Sequence, residues 1–512
     1  MAPPVVSMPF LRDLPTNPLG RLTPSTMIQS LGPRASQWQL EKRPFIAVYS
    51  GSREGKSPDH MVVAHELGQS IEDAGGVAVT GGTSPGLMGA VLENCSRQVC
   101  FIPELFASKT GAGVAIEDIH AHAVNHVVPD FWERKTAMTL IADAGFVVLP
   151  GGYGSLDEAF ESLIFAASTN RHITFVNQGG YWDNTLSLFS SFAAQGLMPP
   201  EYLNCFSSAP NAQTAIEGIV QRRRTQGQIV MEPQKKAIAT TSLRSYLSLT
   251  PQALPNAIFS FIGKAPRIGV IASGNIGKEE ANFNLTNRTY RARFVDNTTM
   301  IARQFVKAGA ALVLMGARRG LRARMAQAVL EAGGKVIWLQ RNPTRRPLNI
   351  RQLSNQEMQI DVPRYFERAR LFATIAQGQC VIAGGIHTAN EALSHVTRNQ
   401  TGHGDYCDVV PHCRDVDRPR MVAHAYDPPL NDNGLRLWEP LAKQACHCAN
   451  EGFLDKKDLG LLLFHRRAES IVGKVMDGLG NQPDFLAELS KMGKRKAFSP
   501  PPFFRASKFT AG

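Results

Sequence analysis

Twelve residues, Val147-Val148-Leu149-Pro150-Gly151-Gly152-Tyr153-Gly154-Ser155-Leu156-Asp157-Glu158, restrict this chain more than any other stretch. Phe146 to Leu149 is apolar and partly β-branched, the pattern of a strand covered on both faces. Pro150 ends it. Three glycines follow, which permit positive φ and close approach of a ligand to bare backbone. Ser155-x-x-Glu158 then opens an apolar-periodic stretch through Ala159, Leu163 and Ile164, so a helix is expected to start there. A glycine turn emptying into a helix start aims N–H groups and the positive end of the helix dipole at one point, which suits phosphate. Ser155 and Glu158 also fit a capping box, in which each side chain satisfies the other's backbone N–H. The twelve residues alone leave cap and catalysis both open.

The same unit recurs upstream. Phe45 to Tyr49 reads as a strand, Ser50-Gly51-Ser52-Arg53-Glu54-Gly55 as a loop, and His60 to Ala74 as an amphipathic helix. Val77 to Val79 runs into Thr80-Gly81-Gly82-Thr83-Ser84-Pro85-Gly86-Leu87-Met88-Gly89, and a further strand lies near Val99 to Ile102. Phe131-Trp132-Glu133-Arg134-Lys135 begins the helix that leads to the opening stretch. Strands alternating with helices predict an α/β fold, a Rossmann-like doubly wound parallel sheet with helices on both faces. Ligands bind such sheets at the carboxyl ends of the strands, where all three glycine loops fall.

At 512 residues the chain is too long for one core and calls for two or three domains. No apolar run approaches the roughly 18 residues needed to span a bilayer, so no membrane association is expected. The net charge of +12 is spread along the chain without a stacking-aromatic pattern, which favours small anions over nucleic acid. Eight dispersed cysteines fit free thiols in a reducing compartment, and the cytoplasm is expected. Cys407, His412, Cys413, Cys446, His447 and Cys448 lack the usual zinc spacings, so no metal is expected. Residues 1–42, rich in Pro, Ser and Thr, read as a disordered leader, with an organelle transit peptide as the other reading. Residues 492–512 read as a disordered basic tail, its Lys494-Arg495-Lys496 run a weak nuclear signal.

Taken together, Ser-Gly-Ser after the first strand, Gly-Gly-x3-Gly-Leu-Met-Gly, Glu-Arg-Lys on a helix and Pro-Gly-Gly-Tyr-Gly-Ser-x2-Glu resemble the Lonely Guy family of phosphoribohydrolases, often mislabelled lysine decarboxylases. The resemblance spans about residues 44–205 and includes Gly179-Gly180-Tyr181-Trp182-Asp183. It implies hydrolysis of the N-glycosidic bond of a nucleoside 5′-monophosphate, typically a cytokinin one, to free base and ribose 5-phosphate. The family's motif arginine matches Arg134 and its glutamate Glu158, the expected catalytic pair. Expected substrate and phosphate contacts are Ser52, Gly82, Thr83, Lys135, Gly151, Gly152, Tyr153, Gly154 and Ser155. Ser155 stands where Thr is usual, Thr83 where a third glycine is common, and Phe131-Trp132 replaces Met-His. No cofactor is expected. The first loop lacks the dinucleotide fingerprint, and nothing marks a pyridoxal-phosphate lysine. A nucleotide-binding sensor without turnover is the alternative.

After residues 226–265, read as a linker, the pattern returns. Arg267 to Gly274 echoes Phe45 to Gly51, and Gly316-Ala317-Arg318-Arg319-Gly320-Leu321 aligns with Gly82 to Leu87. Tyr365-Phe366-Glu367-Arg368 parallels Phe131 to Arg134, and Ala383 to Glu391 parallels Pro150 to Glu158. A catalytic domain over 43–225 followed by a diverged second domain over 266–491 is therefore expected. Arg368, Gly384, Gly385, Thr388 and Glu391 form a possible second site. His387 at the position of Gly154 is expected to crowd a phosphate or force a different backbone, and Arg322-Ala323 replaces Met88-Gly89. The second domain is read as regulatory or scaffolding, with a second active site of altered specificity as runner-up. From about Asp405 the pattern is expected to lapse, with helices over 435–448 and 459–479. Lonely Guy proteins work as homodimers, so the two halves are expected to pack as an intramolecular pseudo-dimer, with a homodimer of chains as the other possibility.

Overall fold

The computed structural model describes residues 6–7, 24–82, 85–103, 123–128, 131–169, 171–226, 252–274, 285–342, 348–362, 365–400, 421–428 and 436–479. These build two eight-stranded sheets. The first contains β1 (Val6–Ser7), β2 (Phe45–Tyr49), β3 (Val77–Thr80), β4 (Gln98–Pro103), β5 (Val124–Val128), β6 (Gly145–Val148), β7 (Ile173–Val176) and β8 (Phe206–Ala209), in the order β1-β5-β4-β3-β2-β6-β7-β8. All its pairings are parallel.

The second sheet contains β9 (Arg267–Ile271), β10 (Ala311–Met315), β11 (Val336–Arg341), β12 (Asn349–Gln352), β13 (Glu357–Val362), β14 (Gly378–Val381), β15 (Ala423–Tyr426) and β16 (Leu462–His465). Its order is β12-β13-β11-β10-β9-β14-β15-β16, parallel except for β12 against β13. With the edge strands β1 and β12 set aside, the two sheets have the same strand order. Each reverses direction beside its first strand, between β2 and β6 and between β9 and β14. A backbone bond marks the equivalent place in both: Gly51 N to Pro150 O at 2.9 Å, and Ser273 N to Ala383 O at 3.1 Å. That reversal opens the crevice in which such folds hold ligands.

The helices are α1 (Pro24–Ser30), α2 (Pro33–Leu40), α3 (Pro58–Asp73), α4 (Gly86–Glu93), α5 (Phe131–Ile141), α6 (Tyr153–Thr169), α7 (Asp183–Ala194), α8 (Ala212–Gln226), α9 (Ala253–Ile262), α10 (Leu285–Lys307), α11 (Gly320–Glu331), α12 (Tyr365–Ile375), α13 (Ile386–Gln400), α14 (Glu439–Asn450) and α15 (Ala468–Gly478). Every residue of β2, β6, β9 and β14 is buried, as strands sandwiched between helix layers must be. Helix α6 of the first half lies along α13 of the second, and α7 along α14. No helix among the described residues is long and apolar enough to cross a membrane.

Four expectations change. The leader over 1–42 is helical from Pro24 to Leu40 apart from a short break, because Pro24 and Pro33 begin helices, where a missing N–H costs nothing. Met27, Ile28, Leu31, Ala35 and Trp38 are buried, and Leu31 O meets His126 Nε2 at 3.2 Å. Within 226–265, α9 buries Leu254, Ile258 and Phe261. After 405 the pattern persists: β15, α14, β16 and α15 repeat the succession β7, α7, β8, α8, so the stretch expected to be helical over 459–479 contains a strand, Leu462–His465. The helix expected to start at Ser155 starts at Tyr153. Residues 492–512, including the basic tail, lie outside the described residues.

Candidate active site

At the reversal of the first sheet, the turn after β6 stands beside the loop after β2. Gly151, Gly152 and Gly154 are not among the glycines with positive φ, so at Gly151 and Gly152 it is space and not handedness that demands glycine. A Cβ on Gly151 would overlap Ser155 Oγ and come within 2.9 Å of Gly51 N. Ser155 lies in the first turn of α6, buried, with its hydroxyl folded back onto that turn. Tyr153 is also buried. Tyr181 adds a bond from its hydroxyl to Gly151 O at 2.7 Å. Gly82 (φ 75°) does need positive φ, as does Gly86 (φ 71°), and the Gly82 N–H is bound by Thr80 Oγ1 at 3.1 Å. Ser52 is exposed on the loop after β2, and Ser52 backbone packs so closely on Gly86 that no side chain fits there. Thr83 lies outside the described residues.

Arg134 and Glu158 meet in this crevice. Nη2 of Arg134 donates to Glu158 Oε1 at 3.0 Å, with both side chains about nine-tenths buried. The guanidinium lies against Gly81, where any Cβ would collide with it. Glu158 is therefore no capping residue: it sits in the second turn of α6 and its carboxylate is directed at an arginine from another helix. Burial pushes its carboxyl above the ordinary glutamate range, while Arg134 and Lys135 work against that rise.

Lys135 departs from its expected role. Its ammonium is bound by Asp157 at 2.9 and 3.0 Å, by Glu161 at 2.6 Å and by Ser394 of the second half at 3.3 Å, and it lies 4.8 Å from the centre of the Trp132 ring. Burial opposes its charge, but Asp157 and Glu161 outweigh it and raise its affinity for the proton. Successive helical residues point about 100° apart, so when Arg134 faces the crevice Lys135 faces the other half.

Residues from the second half close the crevice, and no single motif announces them. Phe453 O stands 2.7 Å from where a Gly152 Cβ would be, and its ring packs on Gly51 and Gly55. Glu451 O accepts from Lys56 N at 2.8 Å, Glu451 pairs with His60 at 3.1 Å, and Arg53 holds Asp455 by two bonds of 2.9 and 2.8 Å. The strap is reciprocal: Leu197 O lies against Gly385 as Phe453 O lies against Gly152. Gly196 and Gly452, both with positive φ, precede the two contacting residues. Aligning Gly196-Leu197 with Gly452-Phe453 was the available signal.

A family model described as "Possible lysine decarboxylase" matches residues 76–219. A probable cytokinin riboside 5′-monophosphate phosphoribohydrolase of Oryza sativa subsp. japonica is 34% identical over 173 residues, 33% of this chain and 72% of the relative. The chain belongs to the Lonely Guy family. A cytokinin riboside 5′-monophosphate phosphoribohydrolase of Arabidopsis thaliana is 32% identical over 177 residues, covering 78% of its length. Among solved structures, the Moco carrier protein of Chlamydomonas reinhardtii aligns over 36% of this chain and 99% of its own, with a TM-score of 0.26 and 16% identity. The residues matched by that family model include Arg134, Glu158 and the whole glycine turn.

The second half holds the same constellation. Arg368 Nη2 donates to Glu391 Oε1 at 3.2 Å, and a Cβ on Gly384 would overlap Thr388 Oγ1 as one on Gly151 would overlap Ser155 Oγ. His387 does not force another backbone. It is the second residue of α13, as Gly154 is of α6, and it is exposed; a Cβ on Gly154 would itself meet nothing nearer than 3.9 Å.

Proposed function

We propose that the first half hydrolyses the N-glycosidic bond of a nucleoside 5′-monophosphate of the cytokinin riboside type, releasing free base and ribose 5-phosphate. The buried Arg134–Glu158 pair beside the glycine turn carries this reading. Breaking the C1′–N bond leaves oxocarbenium-like positive charge on the ribose and sends the bonding electrons to the base. A carboxylate held near the sugar stabilises that positive charge and orients the attacking water, whose oxygen bonds to C1′ while its protons end on the sugar hydroxyl and the released base. Arg134 keeps Glu158 in place and balances the anionic base or phosphate. Phosphate would lie against the Gly151 to Ser155 turn, with Ser52, Gly82 and Thr83 beside it.

The two halves serve as an intramolecular pseudo-dimer, each strapping the glycine turn of the other. A reducing compartment such as the cytoplasm suits the described cysteines, which are free thiols. The test incubates purified full-length chain with isopentenyladenosine 5′-monophosphate, AMP and CMP and resolves free base by chromatography. Base release from the first is the expected outcome; tight binding of all three without release would leave a sensor instead.

A further inference from the structure

The two aromatic residues that stand where Met-His is usual, Phe131 and Trp132, are used on different sides of α5. Residues three apart on a helix share a face, and the next such pair lies about 100° round from it. Trp132 and Lys135 form one pair. Both are buried against the second half, the centre of the Trp132 ring lying 4.8 Å from the Lys135 ammonium and 3.4 Å from the guanidinium carbon of Arg398. Phe131 and Arg134 form the other, on the face toward the crevice. The guanidinium that pairs with Glu158 and lies against Gly81 has its carbon 5.8 Å from the centre of the Phe131 ring. Unlike Trp132, Phe131 is only partly buried.

Position along the helix matters as much as the face. Helix α5 follows β5 and returns across a parallel sheet, so its first residue, Phe131, stands at the carboxyl-end mouth, one turn outward from Arg134. A base joined to a sugar at Glu158 and balanced by Arg134 comes within reach of that ring. We propose that the Phe131 ring is the platform on which the substrate's base stacks, and that it favours the two-ring face of a purine over a pyrimidine. The proposal deepens, and rests on, the reading that the first crevice holds a nucleoside 5′-monophosphate. Stacking needs only a π-face on each partner and grows with the area overlapped, so it selects by ring size without a base-specific hydrogen bond.

Isothermal titration of the full-length chain in a Glu158→Gln background, chosen to slow turnover of the ligand, compares AMP, CMP and ribose 5-phosphate. Phe131→Leu should weaken AMP at least about fivefold, CMP less, and ribose 5-phosphate not at all, because only a base loses its platform. Phe131→Tyr, which keeps the ring, should bind AMP as the parent does. Unchanged AMP affinity in Phe131→Leu overturns the proposal. So does an equal loss for AMP and ribose 5-phosphate, which would make Phe131 a prop for Arg134 alone. A loss for CMP as large as that for AMP overturns the purine preference. Should Phe131→Leu unfold, Phe131→Met decides by the same titrations. Failure of the underlying reading looks different: a parent chain that binds no ribose 5-phosphate overturns both, whereas binding without base release by the wild type overturns hydrolysis alone and leaves the titrations to decide the stacking.

Discussion

Glu158 and Lys135 show how two charged residues of one motif set are used in opposite ways. Glu158 faces the crevice, so Glu158→Gln and Arg134→Ala should each lower kcat for base release by about 100-fold or more while the fold is retained, read by chromatography alongside circular dichroism. Because its carboxyl is raised, the folded protein takes up the Glu158 proton more readily than the unfolded chain. That contribution to stability is full below the ordinary glutamate range and is lost as pH rises through the raised folded value. Glu158→Gln should accordingly flatten this part of the thermal midpoint's pH profile and remove the acid limb of kcat. Lys135 instead neutralises Asp157 and Glu161 inside the protein. Lys135→Met would leave two carboxylates without their cation and should cost about 3–5 kcal/mol in denaturant unfolding. The place of Arg134 beside Glu158 was legible because a motif names both positions. The Lys135 role was not, since its partner Ser394 lies 259 residues away.

At the scale of elements, the strands, the glycine turns and the alternation with helices could be read directly, because buried parallel strands leave short apolar runs ended by Gly and Pro. What could not be read was the strap made by residues 451–455. Its contacts with the loop after β2 join positions some 400 apart, a separation at which local pattern carries no information. Helices α1 and α2 escaped for another reason, since prolines that count against a helix interior are favourable at its first turn. Phe453→Ala removes a buried ring from Gly51 and Gly55 and should cost about 3–5 kcal/mol as well as raise KM for the nucleotide. Arg53→Ala breaks an exposed pair and should cost no more than about 1 kcal/mol. Steady-state kinetics and unfolding on both variants separate the packing from the charge.

For the whole molecule, the pairing of α6 with α13 and of α7 with α14 means that neither half has a finished surface alone. Residues 1–226 expressed by themselves should aggregate or lack activity, and co-expression with residues 252–512 should restore a soluble complex and base release, followed by size-exclusion chromatography and the same assay. The common strand order was foreshadowed by the repeated Gly-Gly turns, although the continuation of the repeat past residue 405 was not, because the single Gly452 that matches Gly196 is a far weaker mark than a Gly-Gly turn.

The reciprocal seating of Leu197 on Gly385 and of Phe453 on Gly152 has a consequence for how this protein can vary. In a symmetric dimer of identical chains every substitution is made twice, once at each site, and a change that improves one pocket is forced on the other. Here the two faces are encoded separately. Lys135 has Ala369 as its counterpart, Glu161 has Ser394, and Met88 has Arg322, so the interface and each crevice can be altered on one side while the other keeps its residues. Carrying both halves on a single chain turns a constraint of symmetry into independent choice.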